Sequence, residues 1–130
     1  MYEWGEHVGE LELHVTAPDE AGVFAEALRA FGELLGGEDR GPVEQFEIAA
    51  RGDDRAVLFA AWLEELAFLA ETEGLVPEAL DELALGADGV RALVRGYRGA
   101  PPHLVKAVTY HRLAYGRAGA GWQARALLDV

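Results

Sequence analysis

Apolar and polar residues alternate strictly along residues 10–17, ELELHVTA. The apolar members that would share one face of an extended chain are Leu11, Leu13 and Val15. The opposite face would carry Glu10, Glu12 and His14. This period of two predicts a half-buried β-strand. Tyr2 and Trp4 repeat the pattern in a shorter stretch before it, which predicts a second, short strand.

The apolar spacing lengthens to the helical period after Thr16. The recurring apolar residues are Phe24, Leu28, Phe31 and Leu35. Thr16 and Asp19, three positions apart, resemble a capping arrangement, with Pro18 in the first turn. Gly36 and Gly37 supply the stop. The segment therefore predicts an amphipathic α-helix.

A second strand and a second helix follow. VEQFEIAA, residues 43–50, has a strand composition with an imperfect period, which suggests a bulge near Gln45. Asp53 or Asp54 then caps a helix that ends at Gly74. Its main apolar stripe consists of Leu58, Trp62, Leu66 and Leu69. Phe59, Leu63 and Ala70 widen the stripe, so we expect this helix to be central and buried on much of its circumference.

The remaining residues have strand character and predict two hairpins. LVPEALDELAL and GVRALVRGY flank the turn residues GADG, and VKAVTYHRLAYGR and GWQARALLDV flank AGAG. Because strands dominate the second half, the order favours an α+β arrangement over a doubly wound parallel sheet. We expect one compact α+β domain over residues 1–130, with two main helices packed on a mainly antiparallel sheet.

Composition and charge narrow the range of functions and partners that we expect. Half of the residues are apolar, as in a globular protein, and the net charge is −12. The basic residues of the last third are Arg91, Arg95, Arg98, Lys106, Arg112, Arg117 and Arg125. Because the acidic excess precedes them, a basic protein or a cation is a better partner than RNA. Neither a secretory signal nor a membrane-spanning run is visible, so we expect a cytoplasmic protein with no membrane partner.

Few side chains of this sequence are suited to a catalytic role. The chain has no cysteine and no serine, which excludes disulfides, zinc–thiolate sites and the commonest nucleophiles. No phosphate-binding glycine loop and no HExxH pair is present. None of the four histidines lies at i, i+4 spacing from another. Glu71 and Glu73 near the end of the second helix form either a paired-carboxylate site or an ordinary acidic helix end capped by Gly74.

The stretch KAVTYH, residues 106–111, has two interpretations. Thr109 and Tyr110 are good strand formers, so the segment could be purely structural. In a strand, Lys106 and Tyr110 would share one face, and His111 would lie on the other. The alternative is a structural strand that exposes Lys106 and His111 as a recognition edge. Neither has a partner nucleophile, so we expect no catalytic residue here.

Four blocks of the sequence resemble the archease family. VKAVTYHRL resembles its late signature, and WLEELAFLAETEGLV resembles its helix W-L-N-E-L-L-Y-L-x-D-T-E-G. YEWGEH followed by Glu10 resembles Y-x-x-x-D-H-T-A-D, and the ending W-x-A-x-A-L-L-D-V resembles the terminal strand. Glu10 and Glu71 each stand where the family has aspartate. Arg98 and His103 correspond only loosely to an Arg-His pair in its segment before Lys106.

The resemblance implies a role and a set of residues. Archeases are non-catalytic proteins that assist the GTP-dependent RNA ligase of tRNA splicing and RNA repair, promoting its guanylylation and multiple turnover. The family carries a divalent-metal site, with calcium as the ion, whose ligands correspond here to Glu10, Asp129 and Val130. Calcium prefers such carboxylate and carbonyl oxygens. The partner-binding residues that we expect are Glu71, Glu73, Lys106 and His111.

Two other functions stay open from the residues. A metal-dependent hydrolase could use Glu10, His7, His111 and the C-terminal carboxylates, provided that the metal kept an open position and a base stood near it. A general chaperone or interaction module would need no metal. Direct nucleic-acid binding is not expected for either the activator or the chaperone.

Overall fold

The computed structural model describes residues 1–37, 40–99, 101 and 104–130, and of His7 it describes the backbone alone. The chain forms two helices and seven strands within these residues. In chain order they are β1 (Tyr2–His7), β2 (Glu10–Ala17), α1 (Glu20–Leu35), β3 (Val43–Arg51), α2 (Arg55–Glu73), β4 (Leu75–Leu85), β5 (Gly89–Arg98), β6 (Ala107–Ala118) and β7 (Gly121–Asp129).

The strands divide between two antiparallel sheets. Sheet 1 has the order β1-β2-β7-β6, and sheet 2 has the order β3-β5-β4. Every strand pair is antiparallel. The first long strand and the last strand of the chain are neighbours in sheet 1, with Glu10 opposite Asp129 and Ala17 opposite Trp122. The α+β prediction is confirmed. The sequence predicted one mainly antiparallel sheet, and the structure has two antiparallel sheets.

Both helices contact both sheets. α1 packs on β4 and β2, and α2 packs on β6 and β3. The buried apolar residues of both helices and both sheets form one cluster. Trp62 is fully buried in it, its ring lies 5.9 Å from that of Phe24, and its Nε1 donates to the Phe24 carbonyl at 3.1 Å. The broad burial predicted for α2 is therefore present, and Trp62 ties it to α1.

The helix ends follow local capping rules, with one correction. Asp54 caps α2, and Gly74 ends it in the left-handed conformation at φ 66°. The predicted cap of α1 at Thr16 is wrong. Asp19 is the N-cap, because its carboxylate accepts from the Gly22 amide at 2.7 Å, so Pro18 precedes the helix and does not form its first turn.

The bulge predicted near Gln45 is also wrong. β3 pairs with β5 without a register shift from Val43 to Arg51. The side chain of Val43 is 53% exposed, so it does not have to lie on the core face of β3 with the buried Ile48. For this reason the apolar period of the sequence looks imperfect. Register shifts occur in β4 and in β6, where pairing with β7 is interrupted between Thr109 and Ala114.

A polar network joins the start of both helices to sheet 1. Glu20 accepts from Arg55 Nε and from the Tyr115 hydroxyl, each at 2.9 Å. Burial, together with the Glu20 carboxylate, raises the pKa of Tyr115 above its usual range. Arg55 also donates to the carbonyl of Gly86 in the β4–β5 turn. These contacts fix the ends of the helices that are remote from the site described next. No helix in the described ranges is long and apolar enough to cross a membrane.

Candidate functional site

A groove of about 290 Å³ runs between α2 and the start of β6, and we call it the α2–β6 groove. Its helical wall consists of Glu64, Ala67, Phe68 and Glu71. These positions are spaced by three and four residues, so they lie on one face of the helix. The opposite wall is residues 105–108. Two segments that are distant in the sequence, and that carry two of the four family-like blocks, therefore meet here.

The groove combines an exposed aromatic ring with charges of both signs. Phe68 is 57% exposed, whereas the other large apolar side chains of α2 are buried or half-buried. Glu71 and Lys106 are both exposed and stand on opposite walls. An exposed aromatic residue with charged neighbours is typical of a protein-binding surface. The structure thus brings together two of the four predicted partner-binding residues.

Tyr110 extends the surface beyond the groove. Its ring is 58% exposed, and its hydroxyl donates to Glu64 Oε1 at 3.3 Å. Partial burial raises the pKa of Tyr110, and the nearby Glu64 carboxylate raises it further. The phenol therefore stays protonated and acts as a hydrogen-bond donor. Tyr110 therefore lies on the side of β6 that faces α2, and Lys106, which precedes the strand, lines the groove.

Glu73 lies outside the groove. Arg98 Nη1 contacts Glu73 Oε2 at 2.6 Å and the Glu73 carbonyl at 3.2 Å, and Arg98 Nε contacts Glu44. These hydrogen bonds to Glu73 and Glu44 raise the pKa of Arg98. The guanidinium also places a positive charge at the C-terminus of α2, where it is favourable. Glu73 thus has the contacts of an acidic helix end, which was one of its two interpretations.

His111 lies away from the other predicted residues. It is exposed in the part of β6 that does not pair with β7. It lies four positions after Ala107, which corresponds to about 13 Å along an extended chain. The structure therefore does not bring His111 to the groove or to the carboxylates of Glu10 and Asp129. His103 lies outside the described residues, and so does the side chain of His7.

The predicted metal ligands meet at one corner of sheet 1, which we call the Glu10–Asp129 corner. Directly opposed residues in antiparallel strands project to the same face with Cβ atoms about 4.5–5.5 Å apart, so the two carboxylates are neighbours. The Val130 amide approaches the Gly9 carbonyl at 3.5 Å, which places the last residue beside Glu10. Two opposed carboxylates repel each other, and a cation between them would remove this cost.

The donor set of this corner fits calcium in kind. It consists of carboxylate and main-chain oxygens, which calcium accepts in flexible geometry. One main-chain oxygen is already engaged, because the Lys106 amide donates to the Asp129 carbonyl at 2.7 Å. No group of three or more His, Cys, Asp or Glu side chains that could hold a metal is found in the described part of the chain. Water would therefore supply much of the coordination sphere.

The same hydrogen bond joins the two features. Lys106 lines the α2–β6 groove, and its amide is bonded to the residue that faces Glu10. Ala107 is also the register partner of Asp129. The groove and the corner are therefore connected through the main chain at one end of sheet 1.

Sequence reasoning did not identify Phe68, Glu64 and Tyr110 as members of this surface. A signal for Phe68 is visible in the sequence, because it lies outside the apolar stripe of α2. An exposed aromatic residue that lines a groove, as Phe68 does, favours a binding role.

The model of the Archease protein family (MTH1598/TM1083) matches residues 2–130. The chain belongs to the archease family. The resemblance of the four sequence blocks is thereby confirmed. An archease of Methanopyrus kandleri is 31% identical over 96% of this chain and 96% of its own length. An archease of Methanosarcina mazei is 26% identical over 99% of this chain and 95% of its own length.

Two solved structures have the archease fold seen here. The solution structure of Methanobacterium thermoautotrophicum protein 1598 superposes with a TM-score of 0.71 at 24% identity and covers 99% of this chain and 98% of its own. The crystal structure of a Thermotoga maritima archease, described as a possible chaperone, has a TM-score of 0.66 at 19% identity. It covers 100% of this chain and 98% of its own. At these identities the likeness shows the fold.

Proposed function

We propose that this chain is a non-catalytic protein cofactor that activates the GTP-dependent RNA ligase of tRNA splicing and RNA repair. It promotes guanylylation of the ligase and its multiple turnover, acts in the cytoplasm, and touches the ligase without binding RNA itself. The family supports this role, since archeases assist that ligase. The chain contributes a surface to the reaction and no reacting group.

The observation that carries the proposal is the convergence of two family-like blocks on the α2–β6 groove. Phe68 and Glu71 come from the helix block, and Lys106 comes from the strand block. A large aromatic side chain that served only packing would be expected in the core. Here the aromatic ring and both charges face solvent, which suits contact with another protein.

The direct test is a guanylylation assay. The purified chain is mixed with the RNA ligase of the same organism, GTP and a divalent metal ion, and the guanylylated ligase is followed over successive turnovers. We expect stoichiometric amounts of the chain to accelerate the reaction after the first turnover. Absence of any acceleration would reject the activator function and leave the chaperone alternative.

Calcium at the Glu10–Asp129 corner is part of the proposal. Its ligands would be the carboxylates of Glu10 and Asp129 and the main-chain or terminal oxygens of Val130. The ion would link β2 to the last residues of β7 and offset the repulsion between the two carboxylates. It would keep the corner in one conformation beside Lys106, so that the surface offered to the ligase is preformed.

The Asp129→Ala variant is expected to lose the thermal stabilisation by calcium. A site that binds only the folded chain stabilises it by about 2.7 kcal/mol at a hundredfold excess of ion over the dissociation constant. Removing one of the two side-chain carboxylates would abolish most of this gain, while the exposed position leaves the metal-free melting temperature within a few degrees.

The measurement is thermal unfolding with calcium and with a chelator, followed by circular dichroism. Glu47→Ala, which removes an exposed carboxylate from sheet 2, is the matched control and should keep the calcium shift. Equal calcium shifts in the wild type and in Asp129→Ala would remove Asp129 from the site.

A further inference from the structure

A second pocket opens on the outer face of sheet 1, away from the α2–β6 groove. It has a volume of about 190 Å³ and is lined by His14, Gln123 and Arg125, with Ala114 and Gly116 as small residues between them. His14 pairs with Arg125 across β2 and β7, and Arg125 pairs with Ala114 across β7 and β6. The three polar side chains therefore project from one sheet face around a floor that two small residues leave open.

The interruption in β6 orients Arg125. Between Thr109 and Ala114 the strand departs from β7, and Arg112 adopts φ 61°, an uncommon conformation for a residue with a side chain. The Arg112 carbonyl accepts from Arg125 Nε at 3.1 Å. One edge of the guanidinium is thus fixed by the backbone, which leaves its two Nη groups available. Local strain of this kind often supports a functional geometry.

The polar groups of this pocket have unused donors. Within the described part of the chain, Arg125 forms no ion pair with a carboxylate, and neither His14 nor Gln123 forms a side-chain hydrogen bond. The acidic side chains on this face include Glu3, opposite His14, and Glu12, whose carboxylate lies 3.6 Å from Arg112 Nη1.

The size and the donors of the pocket define its ligand. A volume of 190 Å³ is below the range of about 300–1,000 Å³ that holds drug-sized molecules, but it is sufficient for one small oxyanion. A guanidinium presents a planar fork that matches phosphate oxygens, and imidazole and amide N–H groups add further donors. A tetrahedral phosphate has enough oxygens to accept hydrogen bonds from three converging donors.

We propose that the pocket formed by His14, Gln123 and Arg125 binds a phosphate group. The group is either free orthophosphate or the terminal phosphate of a larger molecule whose remainder lies outside the pocket. This assignment is independent of the proposed ligase activation, because the pocket lies on the outer face of sheet 1 and the α2–β6 groove lies on the side of β6 that packs against α2. If the phosphate proposal fails, the proposed ligase activation is unaffected, and the reverse also holds.

The test is a titration of the ¹⁵N-labelled full chain with sodium phosphate at constant ionic strength, followed by amide chemical shifts. Saturable shifts are expected for residues 114–116 and 123–125. Arg125→Gln should weaken binding at least tenfold. Gly116→Val should do the same by filling the floor, since a Cβ at Gly116 meets nothing within 4 Å and valine suits a strand.

Arg91→Gln is the matched control. Arg91 is an exposed arginine of sheet 2, and its substitution by glutamine changes the net charge by the same amount as Arg125→Gln. It should alter the affinity less than twofold. Adenosine monophosphate used in place of phosphate separates the two sources: equal or tighter binding indicates a phosphate on a larger molecule, and loss of binding indicates the free ion. Shifts that do not saturate, or an equal weakening in Arg91→Gln and Arg125→Gln, would overturn the assignment.

Discussion

Trp62→Ala is expected to lower the free energy of unfolding by about 3–5 kcal/mol. The side chain is fully buried in the cluster shared by both sheets, so truncation removes a large apolar surface and leaves a cavity. It also removes the hydrogen bond that the indole Nε1 donates to the Phe24 carbonyl at 3.1 Å. A domain of this size has a total stability of about 5–15 kcal/mol, so the loss takes a large share of it.

The measurement is urea or thermal unfolding monitored by circular dichroism, where the melting temperature should fall by about 10 °C or more. Phe68→Ala is the control, because it truncates another aromatic residue of the same helix whose ring is 57% exposed. Its effect should stay within about 0.5 kcal/mol. Similar losses in the two variants would contradict the assignment of Trp62 to the centre of the core.

Phe68→Glu is expected to weaken ligase activation by roughly thirtyfold, the factor that corresponds to an interface residue worth about 2 kcal/mol. The substitution replaces the exposed ring of the α2–β6 groove with a third carboxylate beside Glu64 and Glu71. It removes apolar contact area and adds an unpaired charge that a partner surface would have to desolvate. The fold should remain intact because the position is largely solvated.

The quantity to measure is the concentration of the chain that gives half-maximal stimulation of ligase guanylylation. Val43→Glu is the matched control, because Val43 is 53% exposed on sheet 2 and the change adds the same charge. It should leave this concentration nearly unchanged. If Phe68→Glu activates as well as the wild type while the wild type itself is active, the ligase contacts another surface.

The sequence predicted the elements of this fold because their signals are local. Alternation placed β2 at residues 10–17, as observed, and Gly74 ended α2 as expected. The same alternation assigned Tyr110 and His111 to opposite faces of β6, and the Tyr110 hydroxyl reaches Glu64 of α2. Glu10 and Asp129 were singled out by the family resemblance, and the structure places them opposite each other. Their role as metal ligands is still a prediction.

The features that the sequence did not predict depend on contacts between distant residues. The residues Tyr110 to Leu113 look like a continuous strand, yet pairing with β7 is interrupted there. The Arg112 carbonyl is bonded by Arg125, thirteen positions later, and no local pattern contains that contact. Likewise the groove exists only because α2 packs against β6, so the exposure of Phe68 is decided by tertiary structure.

The pairing of β2 with β7 also affects how the chain folds during synthesis. The two strands are more than a hundred residues apart, so at about 5–20 residues per second β2 waits on the order of ten seconds for its partner. Until then the hairpin of β1 and β2 is only marginally stable, and the apolar face of Leu13 and Val15 is uncovered. On the ribosome, therefore, sheet 1 is completed last, and the Glu10–Asp129 corner is assembled only once translation of β7 has finished.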